Sequence, residues 1–274
     1  MNAMTNVVRP VCLSIAGLDP SGGAGIIADV KTFRACGCYP AAAVTSITFQ
    51  NTTGVFGAEH QSGVSVRRQI EAVVDDLDVA AIKIGMLPTQ ELVETVADIL
   101  RERELPNIVI DPVIRSTSDY ELIDKAAVRI LIDELFPLAT LVTPNIPEAE
   151  QITGVAIESE EDIHDAAAIL REMGARNVLI KGGHLHNAQC RMQNAEFREA
   201  VDHLFVGDEH FAFSAEYIET SSTHGTGCVL SSAIAANLAL GIALSESVTA
   251  AKEFVTNAIR TAPKIGHGNS PIDI

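Results

Sequence analysis

The chain has 274 residues and a formal net charge of -17, from 36 acidic residues against 19 basic ones. With no basic run, that charge repels a polyanion and excludes nucleic-acid binding, while nucleotides stay open because helix ends hold phosphates through backbone N–H groups. Apolar runs are interrupted by charges every few residues and Met1-Asn2-Ala3-Met4 is no signal peptide, so no membrane association and a cytoplasmic protein are expected.

Hydrophobic residues make up 47%, aromatic residues only 4%, and Trp is absent. A core of Ala, Val, Ile and Leu is what buried parallel strands packed under helices require. Cys12, Cys36, Cys38, Cys190 and Cys228 lack metal-site spacing and read as free thiols.

In chain order, an apolar run at Val11–Gly17 predicts a first strand and Gly25–Cys36 a first helix. Strand Ala41–Phe49 follows, then helix Val64–Asp76, strand Ala80–Met86 and helix Thr89–Glu104. Strand Asn107–Val113, helix Asp124–Leu135, strand Thr140–Pro144, helix Glu160–Met173 and strand Asn177–Gly183 continue the alternation. The stretch from His184 to Tyr217 is polar and irregular. Leu204–Val206 and His210–Phe213 within it read as short antiparallel strands of a flap or hairpin beside the site. Helices Gly227–Leu240 and Ser245–Ala262 close the chain. The pattern predicts an α/β fold, a doubly wound and mainly parallel sheet flanked by helices. With no linker or repeat, residues 1–274 read as one domain.

Ligands of such sheets gather at the carboxyl ends of the strands. His224-Gly225-Thr226-Gly227-Cys228 opens an Ala/Ser-rich helix, where free N–H groups and the helix dipole form an anion cradle for a phosphoryl group. The dipole is expected to lower the pKa of Cys228, so that its thiolate can take a proton from a substrate hydroxyl. A tight packing turn with Cys228 as filler explains the motif as well. In Thr143-Pro144-Asn145-Ile146-Pro147-Glu148, Asn145 and Glu148 share a helix face and can organise hydrated Mg²⁺, or simply cap the helix. Asp111 before Pro112 offers a second oxygen donor or forms a turn. Lys181 can meet a triphosphate as a point charge or reach out to solvent. The run from Ala16 to Gly25 lacks dinucleotide and Walker spacing, and suits a glycine-lined loop against which a substrate lies.

AGLDPSGGAG (16–25), DVKTF (29–33), TFQNT (48–52), KIGML (83–87), DPV (111–113), TPNIPEA (143–149), KGGH (181–184) and HGTGC (224–228) stand in order over residues 11 to 268. Together they resemble the ribokinase superfamily and, within it, the hydroxymethylpyrimidine/phosphomethylpyrimidine kinases. The resemblance implies a ribokinase-like fold, ATP with Mg²⁺, and phosphorylation of 4-amino-5-hydroxymethyl-2-methylpyrimidine and then of its monophosphate, in thiamin biosynthesis. It implies Gln50, Met86 and Val113 facing the pyrimidine, with Gly17 and Asp19 nearby, and Cys228 as base where most of the superfamily has Asp. It further implies Gly225, Thr226 and Gly227 as the anion hole, Lys181, Asn145 and Thr226 beside the nucleotide, Asp111 and Glu148 on the metal side, and a homodimer. The sequence departs from the family's usual Lys-Ser-Gly flap, reading Ile114-Arg115-Ser116-Thr117-Ser118-Asp119-Tyr120. A pyridoxal kinase is the nearest alternative. A Cys228-dependent hydrolase or transferase and a non-catalytic pyrimidine-binding protein are the others.

Overall fold

A computed structural model describes residues 9–116, 120–182 and 199–274. The expectations placed on residues 1–4, on the flap residues Thr117, Ser118 and Asp119, and on residues 183–198, with His184 and Cys190, lie outside the described residues. The strands are β1 (Val11–Leu18), β2 (Tyr39–Asn51), β3 (Gly54–His60), β4 (Val79–Ile84), β5 (Ile108–Ile110), β6 (Leu141–Val142), β7 (Asn177–Ile180), β8 (Glu199–Val206) and β9 (Glu209–Glu216). The helices are α1 (Gly25–Ala35), α2 (Gly63–Val74), α3 (Gln90–Arg103), α4 (Lys125–Leu135), α5 (Ile146–Thr153), α6 (Glu160–Glu172), α7 (Thr226–Ala239) and α8 (Leu244–Arg260).

The strands form one sheet in the order β3-β2-β1-β4-β5-β6-β7-β8-β9. Pairing is parallel from β2 through β1 and β4 to β7, and antiparallel at β2–β3, β7–β8 and β8–β9. The doubly wound, mainly parallel sheet expected from the alternation is therefore present. Its central strands are apolar on both faces. Ile82 and Ile84 join Leu13, Ile15, Ile108 and Ile110 in a core beneath α2, α3, α4 and α6. Their neighbour Ala81 joins Cys12, Val109, Leu141 and Leu179 beneath α1, α7 and α8. Each such Ile or Leu contributes about 1.5–3 kcal/mol by leaving water.

Three expectations change. The predicted central strands run too far, because residues 111–113, 143–144 and 181–182 lie beyond the strand ends, and Asp111, Val113 and Lys181 among them line the cavity described below. The antiparallel pair is longer than predicted, and this hairpin, which lines that cavity as expected, also extends the main sheet through the pairing of β8 with β7. Strand β3 was not anticipated. Gly54 and Gly57 weaken its strand pattern, and its structure comes from pairing with β2 across a bulge at Phe49/Gln50.

The topology locates the site. From β1 the chain steps outward to β2 and β3, then returns through α2 to β4 on the other side of β1. Gly17-Leu18-Asp19 and Gly85-Met86 thus end adjacent strands that feed opposite halves of the sheet, which is where open α/β sheets leave a crevice.

Candidate active site

A cavity of about 330 Å³ lies along the carboxyl ends of the strands. All of the side chains and glycines singled out from the sequence line it: Gly17, Asp19, Gln50, Met86, Asp111, Val113, Asn145, Glu148, Lys181, Gly225, Thr226, Gly227 and Cys228.

The cradle is built by two loops that brace each other. Helix α7 starts at Thr226 with Gly225 at its cap in the left-handed region (φ 85°), and no side chain caps it. Its first-turn N–H groups therefore bring the dipole's positive end to the cavity wall. A Cβ on Gly225 would overlap the carbonyl oxygen of Gly23, so the turn can close on the first loop only as glycine. Asp19 ties that first loop together. Its carboxylate accepts from the Ser21 N–H at 2.8 Å, the Ser21 hydroxyl at 2.7 Å and the Ala24 N–H at 3.0 Å. It also lies 2.7 Å from His224 Nε2, across to the cradle. Burial pushes the Asp19 carboxyl up, but the hydrogen bonds from His224 and Ser21 outweigh it and hold the group below its ordinary value. The Gln50 side-chain nitrogen sits 3.3 Å from His224 Nε2, while the Thr48 hydroxyl donates to Gln50 Oε1 at 3.2 Å. Asp19 thus acts on both the loop and the neighbourhood of Gln50.

Opposite this wall, Lys181 Nζ donates to Asp111 Oδ1 at 2.6 Å and would lie 3.2 Å from a Cβ on Gly227. Lys181 is largely but not fully covered, with 12% of its side chain exposed, and is ion-paired with Asp111 instead of reaching out to solvent. Asp111 also accepts from the Thr143 and Ser231 hydroxyls, at 3.3 and 3.4 Å. Asn145 and Glu148 form a reciprocal capping box on α5: the Glu148 N–H donates to Asn145 Oδ1 at 2.9 Å, and the Asn145 N–H to Glu148 Oε2 at 2.8 Å. The cap is real, and both residues still line the cavity. Burial, aided by the charge on Asp111 and opposed by Lys181, pushes the Glu148 carboxyl up to about 7.

That shift bears on magnesium. The charge on Asp111 reaches Glu148 and disfavours its ionisation, and two such hard-oxygen carboxylates suit a small divalent cation. Among the described residues no group of three or more His, Cys, Asp and Glu converges on one point. Magnesium tolerates this, because it is commonly held by one or two carboxylates, water and substrate phosphates.

One expectation fails. The helix dipole was to lower the pKa of Cys228, but burial raises it, and the nearby Asp29 and Asp111 add to the rise. Lys83 and a hydrogen bond from the Gly25 N–H oppose this without reversing it.

Two features escaped the sequence reading. Lys83 at the cavity floor pairs with Asp29, 3.0 Å from each carboxylate oxygen. A cation inside an otherwise apolar strand was the available signal. The far end of the cavity is apolar, lined by Ala200, Ala215, Ile218, Leu230, Val255 and Ile259. It is edged by Lys252, whose Nζ donates to Asp202 at 2.7 Å, and by Asp202, which also accepts from the Gly182 N–H at 2.9 Å. These residues come from β8, β9, the segment after β9, and α7 and α8, so no local motif announces them.

A family model described as phosphomethylpyrimidine kinase matches residues 19–273. A hydroxymethylpyrimidine/phosphomethylpyrimidine kinase of Rhizobium meliloti (strain 1021) is 47% identical over 96% of each chain. A thiamine biosynthesis bifunctional protein of Geobacter sulfurreducens is 43% identical over 97% of this chain and 52% of its own length. Among solved structures, phosphomethylpyrimidine kinase of Clostridium difficile 630 superposes with a TM-score of 0.79 at 40% identity, covering 92% of this chain and 100% of that one. An ADP complex of Bacillus subtilis pyridoxal kinase superposes with a TM-score of 0.85 at 34% identity, covering 97% of each chain.

Proposed function

Since the chain belongs to the phosphomethylpyrimidine kinase family, we propose that it moves the terminal phosphoryl group of ATP onto 4-amino-5-hydroxymethyl-2-methylpyrimidine, and then onto the monophosphate, in thiamine biosynthesis. The observation that carries this reading is the meeting of Gln50, Met86 and Val113 with the Gly225–Cys228 cradle in one cavity. Gln50 offers both a donor and an acceptor to an aminopyrimidine edge. The apolar end between β8, β9 and α8 receives the adenine, which places the triphosphate between Lys181 and the start of α7.

The reaction is an in-line transfer. A hydroxymethyl oxygen forms the new P–O bond, the bond from the γ-phosphorus to the leaving oxygen breaks, and that oxygen keeps the electron pair as ADP departs. Gly225 and Gly227 direct N–H groups at the charge that develops in transit, with Thr226, whose own N–H donates to the Thr223 carbonyl at 3.3 Å, completing the anion hole between them. Lys181 steadies the phosphates, and Asn145 orients them with Thr226. Asp111 and Glu148 would hold magnesium, and the ion, when bound, would supply neutralisation of phosphate charge. Cys228 Sγ receives the hydroxymethyl proton. Its thiolate is a minority species at neutral pH, so positioning contributes more than base strength.

Pyridoxal phosphorylation is the second reading, favoured by the likeness to pyridoxal kinase. Gln50 weighs against it, because an amide serves a pyrimidine edge better than the methylpyridine of pyridoxal. We treat the chain as one domain because a single sheet runs through it. Among the described residues no helix is long and apolar enough to cross a membrane. A cytoplasmic setting accords with free Cys12, Cys36, Cys38 and Cys228. A homodimer accords with Ile47, Phe49 and Phe56 exposed on the outer β2–β3 ribbon.

Phosphorus NMR of purified protein with Mg·ATP and the hydroxymethylpyrimidine tests the proposal. A monophosphate signal that gives way to a diphosphate is expected. Hydrolysis of ATP with no phosphorylated pyrimidine would contradict it.

A further inference from the structure

Lys83 lies within β4 and Asp29 on α1, and both side chains are fully buried. A buried ion pair rarely stabilises a fold more than apolar residues of similar size, so its presence calls for another explanation. Asp29 is bound on three sides. The Ser14 hydroxyl donates to it from β1 at 2.5 Å, Lys83 from β4 at 3.0 Å, and the Ser232 hydroxyl from α7 at 2.7 Å. Ser232 stands one helical turn beyond Cys228, so this contact fixes the start of α7 over the strand ends. Lys83 and Cys228 line the same cavity. Gly25, the first residue of α1, lines it with them. The thiol thus stands in the first turn of α7, in a cavity whose lining includes the start of α1 and a cation fixed by Asp29.

We propose that Lys83 is the positioning residue for Cys228: its ammonium, fixed by Asp29, supports negative charge on the sulfur when it exchanges a proton with the substrate hydroxymethyl group. The charged groups around the thiol are Lys83 on β4, Asp29 on α1, Asp111 after β5 and Lys181 after β7. Lys83 opposes the effect of burial, whereas Asp29 and Asp111 add to it. This deepens the role given to Cys228 above and rests on it only for its catalytic meaning.

Breaking the pair from either end gives opposite electrostatic results, which a merely structural role would not produce. The readout is the pH dependence of Cys228 alkylation by iodoacetamide in the full chain, followed on the Cys228 peptide by mass spectrometry. Lys83→Met should slow alkylation at a fixed pH below the thiol's titration, and Asp29→Asn should speed it. Each change should be roughly tenfold, the change in thiolate fraction for one pH unit of displacement. Because a lone buried charge can prevent folding, Lys83→Met/Asp29→Asn is the second variant. It should titrate above the wild type, since the effect of Lys83 on the thiol exceeds that of Asp29. Shifts of the same sign in both single variants, or a double variant that titrates like the wild type, would overturn the proposal. If alkylation follows Lys83 while Cys228→Ala turns over near normally, the coupling stands and the base role of Cys228 fails.

Discussion

Gly225→Ala isolates the cradle from general stability, because the molecule contains its own control. Gly225 and Gly154 both sit in the left-handed region, at φ 85° and φ 77°. An alanine there costs about 1–2 kcal/mol at either place. Around Gly154 a new Cβ meets no heavy atom within 4 Å, whereas at Gly225 it overlaps the carbonyl oxygen of Gly23. The first loop or the start of α7 must then move on the order of 1 Å, a displacement that can lower turnover about 100-fold when it misplaces groups around a reacting centre. Loss of one oxyanion donor alone lowers turnover about 100- to 1000-fold. Gly154→Ala should therefore lose some thermal stability and keep kcat, while Gly225→Ala should lose kcat by about two to three orders of magnitude. A coupled assay of ADP release, with melting curves on both variants, reads the two effects separately. Near-normal kcat in Gly225→Ala, or an equal loss in both, would refute the reasoning.

Cys228→Ala should lower kcat by several orders of magnitude, on the order of a lost general base together with its positioning, and leave ATP affinity intact by calorimetry; turnover close to wild type removes the base. Because the Cys228 pKa lies above the ordinary thiol value and the base acts deprotonated, kcat should still be rising with pH beyond neutrality, and a plateau below pH 7 contradicts this. Glu148 carries a folded-state value of about 7 against 4.5 for the free side chain, so the folded protein holds the proton more tightly. Its stabilising contribution is then complete below 4.5 and lost as pH rises through 7, and Glu148→Gln should flatten that fall in melting temperature; an unchanged slope counts against the shift. Gln50→Leu should cost about 1–3 kcal/mol in kcat/KM for the pyrimidine by leaving its polar edge unpaired, with little effect on the ATP KM; an equal loss on both substrates would mean that Gln50 only supports the loop.

The order of strands and helices was legible because the central strands are apolar on both faces and most helices carry one apolar stripe, α7 being buried all round instead. The turn at Gly225 was legible too, since a glycine before an Ala/Ser-rich run marks a helix start, and Gly225 takes the left-handed conformation that glycine permits there. What stayed hidden depends on distance. Asp29 and Lys83 stand 54 positions apart, and only the fold places one over the other. The acidity of Cys228 was misjudged because a helix start is a local feature, whereas burial and the charges of Asp29 and Asp111 are set by tertiary structure. Asn145 and Glu148 show that alternatives need not exclude each other, since their capping box also presents both residues to the cavity. Strand β3 owes its conformation to β2 more than to its own residues.

The central claim is tested most directly by comparing kcat/KM for 4-amino-5-hydroxymethyl-2-methylpyrimidine, its monophosphate and pyridoxal, each with Mg·ATP and one preparation of the protein. Turnover of both pyrimidine species, at higher kcat/KM than pyridoxal, is the predicted result. Turnover of pyridoxal alone, or of none of the three, would contradict it.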